Sequence, residues 1–258
     1  MINPITSCYS YQRSNPSFKM KKFATFGNPK GLSVYKLEEK DIGYLKHLVK
    51  NLERFFIKYD VDNKSARQVI EEAFNAAIAI LKAKNPPEEK ADILMAYYKK
   101  QPSAMLIGNV MKIDKNGHIH YSSAYDHPDD VTELDWLVTW NKKIPGEGQD
   151  TVYGYYRNLA DENYFNKLFV RSEVPENSSA VNFYTRMGFN KIGRRRPILR
   201  KDDNRYVIGK FDDKADKIIP MMITLDEIKQ ILKEKADIVK LKLIKSPRSV
   251  TMPYEKFD

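Results

Sequence analysis

The stretch ENSSAVNFYTRMGF, residues 176–189, carries a short helix together with its own stop signal. Ala180, Val181, Phe183, Tyr184 and Met187 recur at helical spacing, and Gly188 follows where a left-handed residue would end the helix. The spacing predicts a helix over 177–187. Its tyrosine lies one turn before a Gly-Phe stop, and packing alone accounts for that if Phe183 and Tyr184 are core aromatics and Gly188 is a cap.

Working outward, KLFVRSEV (167–174) reads as a strand before this helix, and DTVYGYYRNLADE (150–162) as a helix before that strand. VTELDWLVTW (131–140) reads as a strand, joined to the 150–162 helix by the loop NKKIPGEGQ (141–149). A strand–helix–strand crossover of this length makes strands 131–140 and 167–174 parallel. Further upstream, SAMLIGNVMKI and HIHYSSAY flank DKNG, a hairpin connection ending in Asn116-Gly117. LSVYKL (32–37) alternates as a strand. Asp41 opens a helix through Ile42, Leu45, Val49, Leu52 and Phe56, and a second helix follows through Val69 to Leu81. Behind Pro86-Pro87, EEKADILMAYYKK reads as a third helix, since proline suits a first turn. Downstream, RYVIGKF reads as a strand, and a last helix starts near Thr224 or Asp226 and runs toward Ala236.

The order predicts an α/β (α+β) protein with a mixed, mostly antiparallel sheet between helices. Three segments follow: a basic flexible leader over 1–30, one domain over 31–215, and a C-terminal helical extension over 216–258. The leader has no acidic residue and no apolar signal core, which argues against a secretory signal; its basic, Ser-containing composition resembles a transit peptide, and a disordered leader is the simpler reading.

Composition narrows the function classes. With 42% apolar and 30% charged residues, the 258-residue chain can bury a sizeable core. No run of apolar residues is long enough to cross a membrane. A lone cysteine, Cys8, excludes an intrachain disulfide and points to a reducing compartment, here taken as the cytoplasm. The net charge of +10 suits an acidic or phosphorylated partner, although lysines spread along the whole chain are the pattern of a solvated surface.

The loop 141–149 has the chemistry of an anion site. Gly146 and Gly148 allow close backbone approach, the N–H groups opening the next helix attract phosphate oxygens, and Lys142 and Lys143 add positive charge. It is neither a Walker loop nor a dinucleotide fingerprint.

Lys143 to Gly148, KIPGEG, resembles the R/Q-x-x-G-x-G/A loop of the GNAT (GCN5-related N-acetyltransferase) family. Asn177, Ala180, Tyr184, Gly188 and Phe189 resemble that family's N-x-x-A-x-x-x-Y-x-x-x-G-F segment, in matching order. The resemblance covers roughly residues 131–195. It implies an acyl-CoA N-acyltransferase-like fold and acetyl-CoA as co-substrate. The pantetheine arm would lie along backbone near Leu137 and Val138, and the pyrophosphate on Lys143, Gly146, Glu147, Gly148 and Gln149, with Asn177 part of the same site. By the same resemblance Tyr184 is the acid that protonates the departing thiolate. Lysine in place of Arg or Gln at 143, Pro145 without an N–H, and the acids Glu147 and Asp150 depart from the pattern.

Direct transfer to a primary amine needs a base. Glu133 and Asp135 share one strand face by alternation, and Glu173 lies on the neighbouring strand. Each is equally readable as a surface charge. The acceptor, a small molecule or a peptide or protein amine, is left open, as is the oligomeric state. Two other functions remain: a non-catalytic CoA- or partner-binding module with the same fold, and a basic RNA- or ribosome-associated protein using Arg194, Arg195, Arg196, Arg200 and Lys201. That cluster has no aromatic residue, which argues against a nucleic-acid stacking platform. His118 and His120 lack a third ligand, so no metal is expected.

Overall fold

In a computed structural model, residues 18–25, 32–83, 91–113, 119–120, 130–141, 146–162, 167–174, 178–191, 196–202, 205–208, 217–239, 242–243 and 249–252 are described, and all that follows concerns these. Their elements run β1 (Phe18–Thr25), β2 (Leu32–Lys36), α1 (Ile42–Lys50), α2 (Leu52–Lys58), α3 (Lys64–Lys82), β3 (Ala91–Tyr98), β4 (Gln101–Ile113), β5 (Ile119–His120) and β6 (Asp130–Thr139). There follow α4 (Glu147–Glu162), β7 (Lys167–Val174), α5 (Ser178–Arg186), β8 (Asn190–Lys191), β9 (Arg196–Asp202), β10 (Arg205–Ile208), β11 (Lys217–Thr224), α6 (Leu225–Val239), β12 (Lys242–Leu243) and β13 (Ser249–Met252).

The strands form one sheet in the order β10-β9-β11-β7-β6-β4-β3-β2-β1-β12, with β13 also on β1, β5 on β4 and β8 on β11. Every pair is antiparallel except β6 with β7. The mixed, mostly antiparallel sheet is thus present, and its parallel pair is the one the crossover predicts.

Two cores lie on opposite faces. One joins Leu94, Ala96, Ala104, Leu106 and Leu134 to the tyrosines of α4, to Val181 and Phe189, and to Ile228 of α6. The other joins Ile93, Met95, Tyr97, Met105, Ile107, Val138 and Trp140 to α1, α2 and α3. In that second core Trp140 meets the ring edges of Phe55 and Phe74 at 5.3 and 5.6 Å.

This double burial corrects the expected helix over 88–100. Ile93 to Tyr97 alternate between the two cores, so β3 is apolar on both faces and shows no alternation in hydropathy. The expected helix from Asp41 is two helices, broken at Asn51, whose side chain donates to the His47 carbonyl at 2.8 Å. Three helices still fill the space between β2 and β3.

The sheet also passes both expected domain boundaries. Within 1–30, β1 pairs with β2, and its Met20 is buried where the Tyr97 hydroxyl reaches its sulfur at 3.6 Å. Beyond 215, β11 lies inside the sheet against β7 along its whole length, and β12 and β13 accompany α6, so the extension is not only helical. Pro220, opposite Arg171 of β7, falls between the β11 residues paired with β9 and those paired with β8, where the ladder on that edge is interrupted. No helix among the described residues is long and apolar enough to cross a membrane.

Candidate functional site

The parallel pair opens partway along. β6 and β7 pair only at Val131↔Lys167, Thr132↔Leu168 and Glu133↔Phe169. Beyond that point β6 stays on β4 as far as Thr139, and β7 stays on β11 as far as Val174. The C-terminal halves of two neighbouring strands therefore part, each held by its outer partner. The pairing of β6 with β4 skips one residue between Leu134 and Trp136, which makes Asp135 the extra residue of a β-bulge at the point of divergence.

Trp140 donates its backbone N–H to Ser103 of β4 at 3.1 Å. By two-residue alternation Val138 also turns its backbone to β4, which leaves the N–H and C=O groups of Leu137 and Thr139 directed into the opening. Leu137 is half-buried against the core beneath α4, and Val138 is buried in the opposite one.

The opening faces the start of α4. Gly146, in left-handed conformation at φ +82°, precedes the helix, and its carbonyl takes the first intrahelical bond from Asp150 at 2.9 Å. The N–H groups of Glu147, Gly148 and Gln149 have no intrahelical acceptor. The two acids that would oppose an anion here are turned inward: Glu147 is 3% exposed and Asp150 8%. Burial pushes the Glu147 carboxyl up to about 7, opposed by its side-chain hydrogen bond with Ser103 and with the charge of Asp150 adding to the rise. Burial alone pushes Asp150 up to about 7. Near neutral pH the pair is thus partly protonated, and its repulsion of an outside anion is reduced. Glu147 Oε1 has no hydrogen-bond partner.

The helix α5 closes the far side. It ends in a Schellman motif: Phe189 N–H donates to the Tyr184 carbonyl and Gly188 N–H to the Thr185 carbonyl, both at 3.0 Å. The Tyr184 and Phe189 rings, 5.5 Å apart and edge to face, are the apolar contact that accompanies this motif. Gly188 has φ +97°, and the Ile231 side chain occupies the place a Cβ would take. So the tyrosine one turn before Gly-Phe has a structural role in its backbone and ring, and its side chain is half-buried beside Phe183 and Phe189. Phe183 ties α5 to α4: a Cβ on Gly148 would lie 3.4 Å from Thr139 and 3.9 Å from Phe183.

The first turn of α4, the end of β6 and α5 therefore meet around Gly148. Asp135, Leu137 and Val138 stand on β6 at and beyond the bulge, with the Val138 side chain in the opposite core; Gly146, Glu147, Gly148 and Gln149 stand at the start of α4, and Tyr184 in α5. Gln149, exposed, donates from its side chain to the Tyr153 hydroxyl at 3.0 Å. The backbone of Glu133 pairs with Asn109 and Phe169, and that of Glu173 with Ile218, but their side chains lie outside the described residues. Lys142, Lys143, Pro145, Asn177, Arg194, Arg195, His118 and Cys8 also lie outside them. Among the described residues no group of acids, histidines and cysteines could hold a metal. Sequence reasoning missed Ser103 as partner of Glu147, since nothing local links residues 44 apart, and it missed Phe183 as the link to Gly148.

No family model matches the chain, and no curated protein matches it by sequence. Solved structures match it in shape. An uncharacterised protein of Bacillus halodurans is 10% identical at TM-score 0.50, over 84% of this chain and 96% of its own. Aminoglycoside N(6′)-acetyltransferase of Legionella pneumophila is 14% identical at TM-score 0.48, over 78% and 96%. A GNAT-family acetyltransferase of Desulfovibrio desulfuricans is 11% identical at TM-score 0.46, over 75% and 99%. At these identities the likeness is one of fold alone.

Proposed function

We propose that the protein is an N-acetyltransferase that moves an acetyl group from acetyl-CoA to a primary amine. The observation that carries this reading is the parting of β6 from β7 after Glu133 and Phe169, with the unpaired N–H groups of α4 facing the gap. The residues fit the donor. Backbone at Leu137 offers strand-like hydrogen bonds to an amide-bearing arm, the α4 amides suit a pyrophosphate, and both local acids are buried away from it. Lys143 and Asn177 complete this set by their place in the sequence.

Acetyl-CoA bound there supplies a thioester carbonyl and a thiol leaving group. Asp135, at the bulge, or Glu133, two residues earlier on β6, would take a proton from the acceptor amine directly or through a water. Tyr184 would give its phenolic proton to the sulfur as the C–S bond breaks; a thiol of ordinary pKa about 8.5 leaves more readily when protonated. The acceptor is a small-molecule or protein amine, and the compartment the cytoplasm.

The deciding experiment is calorimetric titration of acetyl-CoA into wild-type protein and a Gly146→Glu, Gly148→Glu variant, both checked for cooperative melting. Micromolar binding lost in the variant supports the assignment, and an amine panel with a Tyr184→Phe control then tests turnover. A folded wild type that binds nothing sinks it. The acids at the start of α4 favour one second reading, a CoA- or partner-binding module without turnover. Binding with no transfer to any amine would select that reading.

A further inference from the structure

The β3–β4 hairpin turns through two residues, Lys99 and Lys100, between the paired Tyr98 and Gln101. Both lysines have positive φ, +49° and +71°. This is the type I′ geometry, which favours Asn-Gly because a Cβ-bearing residue is strained there. Consecutive lysines are a costly choice, and local packing does not require them. Both are exposed, the Lys99 ammonium lies 5.1 Å from the centre of the Tyr98 ring, and neither makes an ion pair with a described residue. A solvated lysine is tolerated almost anywhere on a surface; a left-handed pair persists only where something offsets the strain.

Their place in the sheet suggests what that is. β4 runs from this turn directly into Ser103, whose carbonyl accepts the Trp140 N–H and whose hydroxyl faces Glu147. Ala104 opposes Thr139 at the end of β6. The turn thus projects from the same end of the sheet as the opening between β6 and β7 and the first turn of α4. Two flexible ammonium groups there add mobile positive charge at the end of the sheet where α4 begins with two acids.

We propose that the Lys99–Lys100 turn is a phosphate-binding element of this site, gripping a phosphate of acetyl-CoA. The inference rests on the proposed acetyl-CoA site. Phosphate, a multivalent anion, is the chemistry that lysine point charges recognise without a fixed fork geometry.

The test is a Lys99→Asn, Lys100→Gly variant, whose turn suits the hairpin better. Its thermal midpoint should rise by roughly 2–4 °C, while calorimetry shows acetyl-CoA binding weakened by about tenfold. S-acetylpantetheine, which has no phosphate, should bind both proteins equally. Repeating the titration with the 3′-dephospho form locates the contact: a loss that disappears assigns the 3′-phosphate, and a loss that persists assigns the pyrophosphate. A Lys46→Gln, Lys50→Gln variant on exposed α1 positions removes the same net charge and should bind acetyl-CoA as wild type does. Unchanged acetyl-CoA affinity in the turn variant, or an equal loss in the α1 control or for S-acetylpantetheine, overturns the proposal. Wild-type binding with an unaffected turn variant removes the turn alone, whereas a folded wild type that binds no acetyl-CoA removes the site as well.

Discussion

Two glycines adopt left-handed conformations at helix ends, Gly188 after α5 and Gly146 before α4, and their surroundings differ. Around Gly188 the space is filled: Ile231 and Ile223 crowd the position of a Cβ, and the Schellman bonds and the Tyr184–Phe189 contact account for each neighbour. Around Gly146 a Cβ would meet nothing within 4 Å. The same backbone signal therefore has two origins. At Gly188 the fold itself requires it; at Gly146 the described residues leave room on the outside, beside two buried acids.

Substitution at each glycine separates the two origins. Gly188→Ala combines a left-handed penalty with a clash against α6, so it should cost on the order of 3 kcal/mol in denaturant unfolding. A loss below about 1 kcal/mol would show that α6 moves aside freely.

The acids come next. In the folded state Glu147 and Asp150 titrate near 7, above their ordinary 4.5 and 3.8, so the folded chain holds protons that the unfolded chain releases. Their contribution is fully present below about pH 4, is lost as pH rises toward 7, and so makes stability fall across that window. Glu147→Gln, which cannot ionise and keeps an acceptor for Ser103, should be more stable than wild type at pH 8 by roughly 2 kcal/mol and nearly equal to it at pH 4. Parallel stability profiles for the two proteins would refute the burial of a chargeable group.

Gly146→Ala carries only the conformational penalty, about 1 kcal/mol. A cost approaching that of Gly188→Ala would mean that the two ends are alike after all. Smallest of all, Tyr184→Phe keeps the ring against Phe189 and should change unfolding free energy by less than about 0.5 kcal/mol. A larger loss would give the phenol a structural duty that a proton donor does not need.

The same contrast explains what could be read from the sequence. The stretch 176–189 was legible because a helix stop is local chemistry: Gly, Phe and Tyr stand within one turn of each other. β6, α4 and β7 were legible from their spacing, although α4 starts at Glu147, three residues before the expected Asp150. β3 was not, since Ile93 to Tyr97 serve both cores and lose the period that marks a strand. β11 was missed behind its Pro220, which tolerates a central place only through the local gap between β8 and β9. In the candidate site, acids in a first helical turn read as dipole-favoured surface residues. Their burial is a tertiary property, and Ser103, the partner of Glu147, is 44 residues away, so no local pattern reports it.

The pairing of β1 carries a consequence for how the molecule is made. Ala24 pairs with Leu243, and Phe18 with Met252, so strands from opposite ends of the described chain share one sheet edge. Synthesis proceeds from the N-terminus, and β1 can meet β2 early while its other edge waits until residues 242–252 emerge. Until then a strand rich in lysine stands at the border of the nascent sheet, and charge of that kind is what discourages such borders from joining other chains.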